Sequence, residues 1–194
     1  MTEELRKKGE AAKEAAFSLA TVSTDVKNKA LEQIADALVK KSKIILEANK
    51  IDLENAEKNG MRQSMFDRLK LTEERILNIA DGVRQVVSLS DPVGEVVSMW
   101  KRPNGLMIGQ KRVPIGVIAI IFEARPNVTV DAAALCLKTS NAVILRGGSE
   151  AINTNIALMK IMQEAAYAAG IPEGSLNILE DTSRETATEL MRMN

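Results

Sequence analysis

The chain has 194 residues, of which 45% are hydrophobic and 27% are charged, an ordinary composition for a globular protein. Its 26 basic and 26 acidic residues cancel and only 3% are aromatic, so nothing indicates a nucleic-acid partner. No apolar run approaches the roughly 20 residues of a membrane span, and the N-terminus lacks the apolar core of a secretory signal, so we expect no membrane partner and a cytoplasmic location.

Two residue types narrow the chemistry further. The one cysteine excludes an internal disulfide framework. Histidine is absent, which removes the commonest metal ligand and general base, and no metal site is expected.

Residues 1–90 have helical periodicity and form the first predicted unit. Apolar residues recur at spacings of three or four, and Ser23 and Thr72 stand where helix N-caps are expected. Asn59-Gly60 is a typical helix end. The predicted helices cover about 3–20, 26–38 after the helix-start cluster Ser23-Thr24-Asp25, 42–58, 65–69 and 73–87.

Residues 91–113 predict a β-hairpin. Strand-like stretches at 95–102 and 106–113 flank Pro103-Asn104-Gly105, a strong turn signal. Because two isolated strands are marginally stable in water, we expect the hairpin to pack on another sheet, either within a complete chain or on a second subunit.

Residues 114–194 predict a parallel α/β core. The β-branched run at 117–122 is typical of a strand buried on both faces. Ligands of such sheets bind beyond the carboxyl ends of the strands, where the polar turns 123–127 and 146–150 are expected. Three strands alone leave a sheet edge uncovered. The predicted strands are 117–122, 142–145 and 175–179, with helices at 128–138, after 150 and after 182.

The stretches FEARPNVTVD (122–131) and LRGGSE (145–150), in this order of elements, resemble the aldehyde dehydrogenase superfamily, and within it the gamma-glutamyl phosphate reductases. Residues 48–52 and 67–69 share this likeness. It implies the cofactor-binding half of a Rossmann-like fold: an N-terminal helical region, a hairpin arm (94–113) that joins subunits into a homo-oligomer, and an incomplete sheet.

The resemblance also implies a reaction. This family uses NADPH to reduce gamma-glutamyl phosphate (L-glutamate 5-phosphate) to L-glutamate 5-semialdehyde with release of phosphate, in proline biosynthesis, after a cysteine thiolate takes the acyl group. Arg146 would bind the 2′-phosphate of NADP(H), since its planar fork matches phosphate. Gly147 and Gly148 would let the backbone approach the cofactor, Ser149 would donate a hydroxyl, and Glu150 would accept from a ribose.

The 123–127 turn would lie near the substrate. Asn127 is a possible oxyanion or substrate donor. Arg125 either binds the anionic substrate or is a solvated turn residue. We expect Lys138 to be a charge at a helix end, and Cys136 to be a buried, inert thiol because its neighbours are apolar.

The chain departs from the family pattern in length, because family members are about twice as long. We therefore expect the nucleophilic cysteine and the catalytic domain to lie beyond Asn194, and the 194-residue chain to be inactive alone. The alternative is a non-catalytic nucleotide-binding or assembly module on the same fold.

Overall fold

The structure, a computed structural model that describes residues 2–193, contains eight α-helices and two small β-sheets in this range. The helices are α1 (Glu3–Leu19), α2 (Thr24–Lys40), α3 (Ser42–Lys58), α4 (Gln63–Leu69), α5 (Glu73–Ser88), α6 (Pro126–Lys138), α7 (Ile152–Ala168) and α8 (Arg184–Met191). The strands are β1 (Val96–Lys101), β2 (Met107–Lys111), β3 (Val117–Ile121), β4 (Ala142–Arg146) and β5 (Leu176–Ile178), and a single 3₁₀ turn, Ser149–Ala151, precedes α7.

The first five helices agree with the sequence prediction, and so do their caps. The Ser23 hydroxyl accepts from the Val26 amide at 3.4 Å, and the Thr72 hydroxyl accepts from the Arg75 amide at 3.2 Å. Gly60 has a φ of 65° just after α3, a conformation that glycine adopts without a steric penalty. Each cap satisfies a backbone group that the helix itself leaves unpaired.

Parallel pairing in the order β3-β4-β5 forms the central sheet. The side chains of β4 alternate between two apolar clusters. Val143 and Leu145 pack with α2, α6 and α7, whereas Ala142 and Ile144 pack with α1 and α8. Helices therefore cover both faces of β4, and the main core joins the N-terminal helices to the sheet.

Strand β3 corrects the prediction of a strand buried on both faces. Its residues are half-buried or exposed, and Ile121 is 42% exposed. The reason is its position, because β3 pairs with β4 on one side and with no other strand of residues 2–193. The apolar composition of β3 is typical of a central strand, but β3 lies at the edge of this sheet. This agrees with the prediction that three strands alone leave one sheet edge uncovered.

Helix α6 ends at Lys138 as predicted but begins earlier than predicted. It begins at Pro126 rather than near residue 128, because proline is favoured at the first helical position. At its other end, Lys138 is buried, and its Nζ donates to Asn28 Oδ1 at 2.7 Å and to the Val87 carbonyl at 2.9 Å. Lys138 is thus a charge at a helix end, as predicted, and it is also a buried group that connects α6 to α2 and α5.

The hairpin forms as predicted. Strands β1 and β2 pair antiparallel, with Met99 opposite Gly109 and an irregularity between Val96 and Ser98. Every residue of β1 is exposed, so both of its faces lie in solvent. Within residues 2–193 the hairpin and the central strands form two separate sheets, and the packing of the hairpin within a complete chain or on a second subunit stays a prediction.

A buried ion pair connects α2 to two loops. Lys27 is 1% exposed; its Nζ lies 2.6 Å from Asp91 Oδ2 and donates to Ser140 Oγ at 2.8 Å. Burial alone would raise the pKa of the Asp91 carboxyl, but hydrogen bonds from Lys27, Thr24 and the Val93 amide outweigh it, and the net pKa is lowered.

We expect Lys27→Met to lower the free energy of unfolding by about 3 kcal/mol, because it leaves Asp91 without its partner cation. Urea unfolding at neutral pH measures this loss. Lys29→Met, at an exposed position of the same helix, is the matched control. Since the pKa of Asp91 is depressed in the folded state, the contribution of the pair is present above the ordinary carboxyl pKa of about 4 and is lost as the pH falls through the folded value. Equal losses for the two variants would contradict this role.

Candidate functional site

The two predicted polar turns lie side by side at the carboxyl edge of the sheet. The Phe122 amide, just after β3, donates to the Arg146 carbonyl at the end of β4 at 3.0 Å. A Cβ placed on Gly148 would lie 3.5 Å from Glu123 Cα, so the turns are in van der Waals contact. Parallel pairing brings them together, because both strands end at the same edge.

Gly147 is packed against the protein interior. A Cβ at this position would lie 2.3 Å from Asn155 Nδ2 and 3.3 Å from Phe122 Cζ, so a larger residue would force the Asn155 side chain to move. Asn155 is fully buried and accepts from Thr129 Oγ1 at 2.9 Å. The close approach at Gly147 therefore already has a structural cause, and the predicted approach of Gly147 and Gly148 to a ligand stays a prediction.

Arg146 is half-buried, and its guanidinium is held by the loop before α8. Its Nη2 donates to the carbonyls of Thr182 and Ser183, and its Nε is buried without a hydrogen-bond partner among residues 2–193. Hydrogen bonds from Thr186 and Ser183, with the Arg146 charge, lower the pKa of the Asp181 carboxyl in the same loop. The sequence did not reveal this loop contact, because 36 residues separate Arg146 from Thr182.

Ser149 and Glu150 follow on the 3₁₀ turn that leads into α7. Ser149 is exposed and Glu150 is partly exposed, so both side chains are accessible at the edge. A half-buried guanidinium (that of Arg146), an exposed hydroxyl and a partly exposed carboxylate thus occur within five consecutive residues, 146–150. This donor and acceptor set fits a phosphorylated nucleotide, whose phosphates and ribose hydroxyls need those partners.

Arg125 and Asn127 lie on the first turn and line a different surface. Arg125 is exposed at the N-cap of α6, and Asn127 Nδ2 donates to Asp131 Oδ2 at 3.1 Å. Both line a shallow cavity of about 460 Å³, to which no residue of 146–150 contributes. One N–H of the Asn127 amide donates to Asp131, and the amide carries a second N–H that can donate to another acceptor.

The sequence model of the aldehyde dehydrogenase family matches residues 1–194.

The chain belongs to the aldehyde dehydrogenase family.

Individual relatives are more specific. A gamma-glutamyl phosphate reductase of Clostridium perfringens (strain SM101) is 59% identical over the whole chain, which covers 47% of that protein. The crystal structure of gamma-glutamyl phosphate reductase from Thermotoga maritima superposes with a TM-score of 0.97 at 44% identity over 98% of this chain and 46% of its own. That from Saccharomyces cerevisiae gives 0.87 at 34% identity, over 94% of this chain and 47% of its own. The chain spans about half the length of the curated relatives it matches.

In this aldehyde dehydrogenase fold, Cys136 lies inside α6 and is 5% exposed. Burial raises the pKa of its thiol to about 11, so the thiol stays protonated at neutral pH. This agrees with the prediction of an inert cysteine. No helix of the described residues 2–193 is long and apolar enough to cross a membrane.

The sequence analysis assigned no role to Asn49 or Asp52, although their stretch (48–52) contributed to the family resemblance. Asn49 and Asp52 are buried on α3. Asp52 accepts from the amides of Asn153 (3.2 Å) and Thr154 (2.8 Å) and so caps α7, whose own N-cap residue makes no side-chain cap bond. Asn49 accepts from the Leu71 amide at 2.8 Å and donates to the Leu69 carbonyl at 2.9 Å. Apart from that resemblance, the sequence pointed to their burial only through the spacing of two polar residues three positions apart on one helix.

We expect Asp52→Ala to lower the free energy of unfolding by about 3 kcal/mol, because it leaves buried amide donors of α7 without an acceptor. Chemical unfolding measures the loss. Glu57→Ala, at an exposed position of the same helix, controls for the change in helix propensity and charge. If the two variants lost equal stability, Asp52 would not be a cap for α7.

Proposed function

We propose that this chain binds NADPH as part of a gamma-glutamyl phosphate reductase, which reduces L-glutamate 5-phosphate to L-glutamate 5-semialdehyde with release of phosphate, in the cytoplasmic synthesis of proline. The observation that carries the proposal is the 59% identity over all 194 residues to a protein of that name. The two adjacent turns at the carboxyl edge support it, since that edge is where α/β sheets bind cofactors.

The residues of the second turn have separate tasks in this proposal. Arg146 binds the 2′-phosphate; the loop carbonyls that accept from Nη2 hold its guanidinium at the sheet edge. Ser149 donates to a phosphate oxygen and Glu150 accepts from a ribose hydroxyl. The bound nicotinamide cofactor supplies the hydride that reduces the acyl group. Cys136, with its pKa of about 11, is not the thiolate that the reaction needs.

We expect the wild-type chain to bind NADPH more tightly than NADH, and Arg146→Ala to weaken NADPH binding by about tenfold or more with little effect on NADH, because a charge-assisted bond to phosphate is lost. Isothermal titration calorimetry with both cofactors measures this. Arg184→Ala removes an exposed arginine nearby and should keep the preference.

Because Arg146 also contacts the loop before α8, its variants need a test of folding. Arg146→Lys keeps the charge but not the planar fork and should give an intermediate preference for NADPH. Circular dichroism and thermal melts of each variant separate loss of the phosphate contact from loss of structure. A folded Arg146→Ala protein that still prefers NADPH would overturn the assignment of Arg146.

We also propose that the hairpin of β1 and β2 joins copies of the chain into a homo-oligomer. Both faces of β1 carry exposed apolar side chains: Val97 is 52%, Met99 is 62% and Trp100 is 44% exposed. Contiguous apolar surface of this kind marks interaction sites in soluble proteins.

Sedimentation velocity tests the hairpin. We expect Met99→Glu to shift the chain toward the monomer, because a buried carboxylate in the interface would lack a partner. Gln85→Glu adds the same charge at an exposed position of α5 and should leave the assembly intact. A monomeric wild type, or an unchanged assembly for Met99→Glu, would contradict the proposal.

A further inference from the structure

A group of basic side chains separate from Arg146 surrounds the cavity beside the 123–127 turn. This cavity lies between the α4–α5 turn and the start of α6 and has a volume of about 460 Å³, which is in the range of small-molecule sites. Leu71 and Ile79 contribute apolar wall. Its polar lining includes Arg68, Lys70, Arg75, Arg125, Asn127 and Asp67.

The charge around the cavity is strongly unbalanced. Four cationic side chains face one carboxylate, that of Asp67, which accepts from Gln63 Nε2 at 3.0 Å. Arg68, Lys70 and Arg125 make no side-chain hydrogen bond or ion pair with the residues that the structure describes. Cations that converge on one concave surface without counter-charges raise the local concentration of anions.

Hydrogen bonds from Arg75 and Asn49 fix the backbone of the turn that carries Arg68 and Lys70. Arg75 Nη1 donates to the carbonyls of Asp67 (2.6 Å) and Lys70, and this closes the turn between α4 and α5. Asn49 binds the backbone of the same turn at Leu69 and Leu71. Arg68 and Lys70 therefore project from a turn whose position is set before a ligand arrives, which lowers the entropic cost of binding.

The opposite wall comes from a distant part of the sequence. Arg125 is the N-cap of α6, and the first turn of this helix contains no acidic residue. The positive end of the helix dipole thus adds to the field of the four cationic side chains. Two segments that are 50 positions apart along the chain, 67–75 and 125–127, both supply cationic side chains to one cavity.

We propose that Arg68, Lys70 and Arg125 form a subsite for an anionic group of the substrate, and that Arg75 is a positioning residue that holds their turn. This inference rests on the proposed function, because a gamma-glutamyl phosphate carries a carboxylate and a phosphate. Arginine forks bind either group through paired hydrogen bonds. A subsite that holds a charged end of the substrate orients the acyl carbon and selects acidic substrates over neutral ones.

Nuclear magnetic resonance titration of the 194-residue chain with inorganic phosphate, and separately with glutarate, tests the subsite. We expect saturable shifts of the amides at 67–71 and 125–128. Arg68→Gln and Arg125→Gln should each weaken this binding by about tenfold or more, since each removes a charged hydrogen-bond donor. Arg62→Gln, an exposed arginine of the same region outside the cavity, should have no such effect. The stronger probe identifies the group, phosphate or carboxylate, that the subsite prefers.

Two further arms separate this inference from the cofactor proposal. Arg146→Ala should keep the anion shifts at 67–71 and 125–128, because Arg146 does not line the cavity. Preferential NADPH binding with no saturable shift at those amides would overturn the subsite alone. Anion binding there without any NADPH binding would overturn the cofactor proposal and leave the subsite standing. If Arg62→Gln weakened anion binding as much as Arg68→Gln does, the binding would depend only on the overall charge of the protein, and this result would also overturn the subsite.

Discussion

The central strand β4 is the constraint on which the rest of the structure depends. It pairs in parallel with β3 and β5, and its side chains alternate between a core built with α2, α6 and α7 and a second core built with α1 and α8. Because residues 142–145 of this strand are buried and apolar on both faces, its register is strongly specified. Because β3 is aligned with β4 residue for residue, the register also brings the turns after the two strands into contact.

Buried polar residues then connect the site to the helices that surround it. Asp52 caps α7 directly after the 146–150 turn, while Asn49, one helical turn away on α3, holds the backbone of 69–71. One helix thus supports both the proposed cofactor turn and the turn that carries Arg68 and Lys70. Buried polar groups are costly unless they are satisfied, which limits how far either turn can move without breaking these bonds.

Basic side chains near the two turns occur in two different arrangements. Arg146 is half-buried at the end of β4 and is held by the carbonyls of the loop before α8. The cations around the 460 Å³ cavity are exposed and have no counter-charge of their own beyond Asp67. The first arrangement suits one fixed contact with a phosphate, and the second suits capture of a small anion from solution.

Residue patterns alone predicted the five N-terminal helices, the hairpin at 103–105, the three parallel strands and the two polar turns at one sheet edge. These features follow from local rules: apolar periodicity, capping residues, turn chemistry and the geometry of parallel strands. The motifs of 122–131 and 145–150 likewise indicated the aldehyde dehydrogenase family before any contact was known. The positions of Arg125 and Asn127 beside Arg68, the buried state of Lys138 and the exposed state of β3 were decided by tertiary structure. Burial depends on which neighbours a residue meets across 50 or 100 positions of chain, and no local pattern of one segment contains that information.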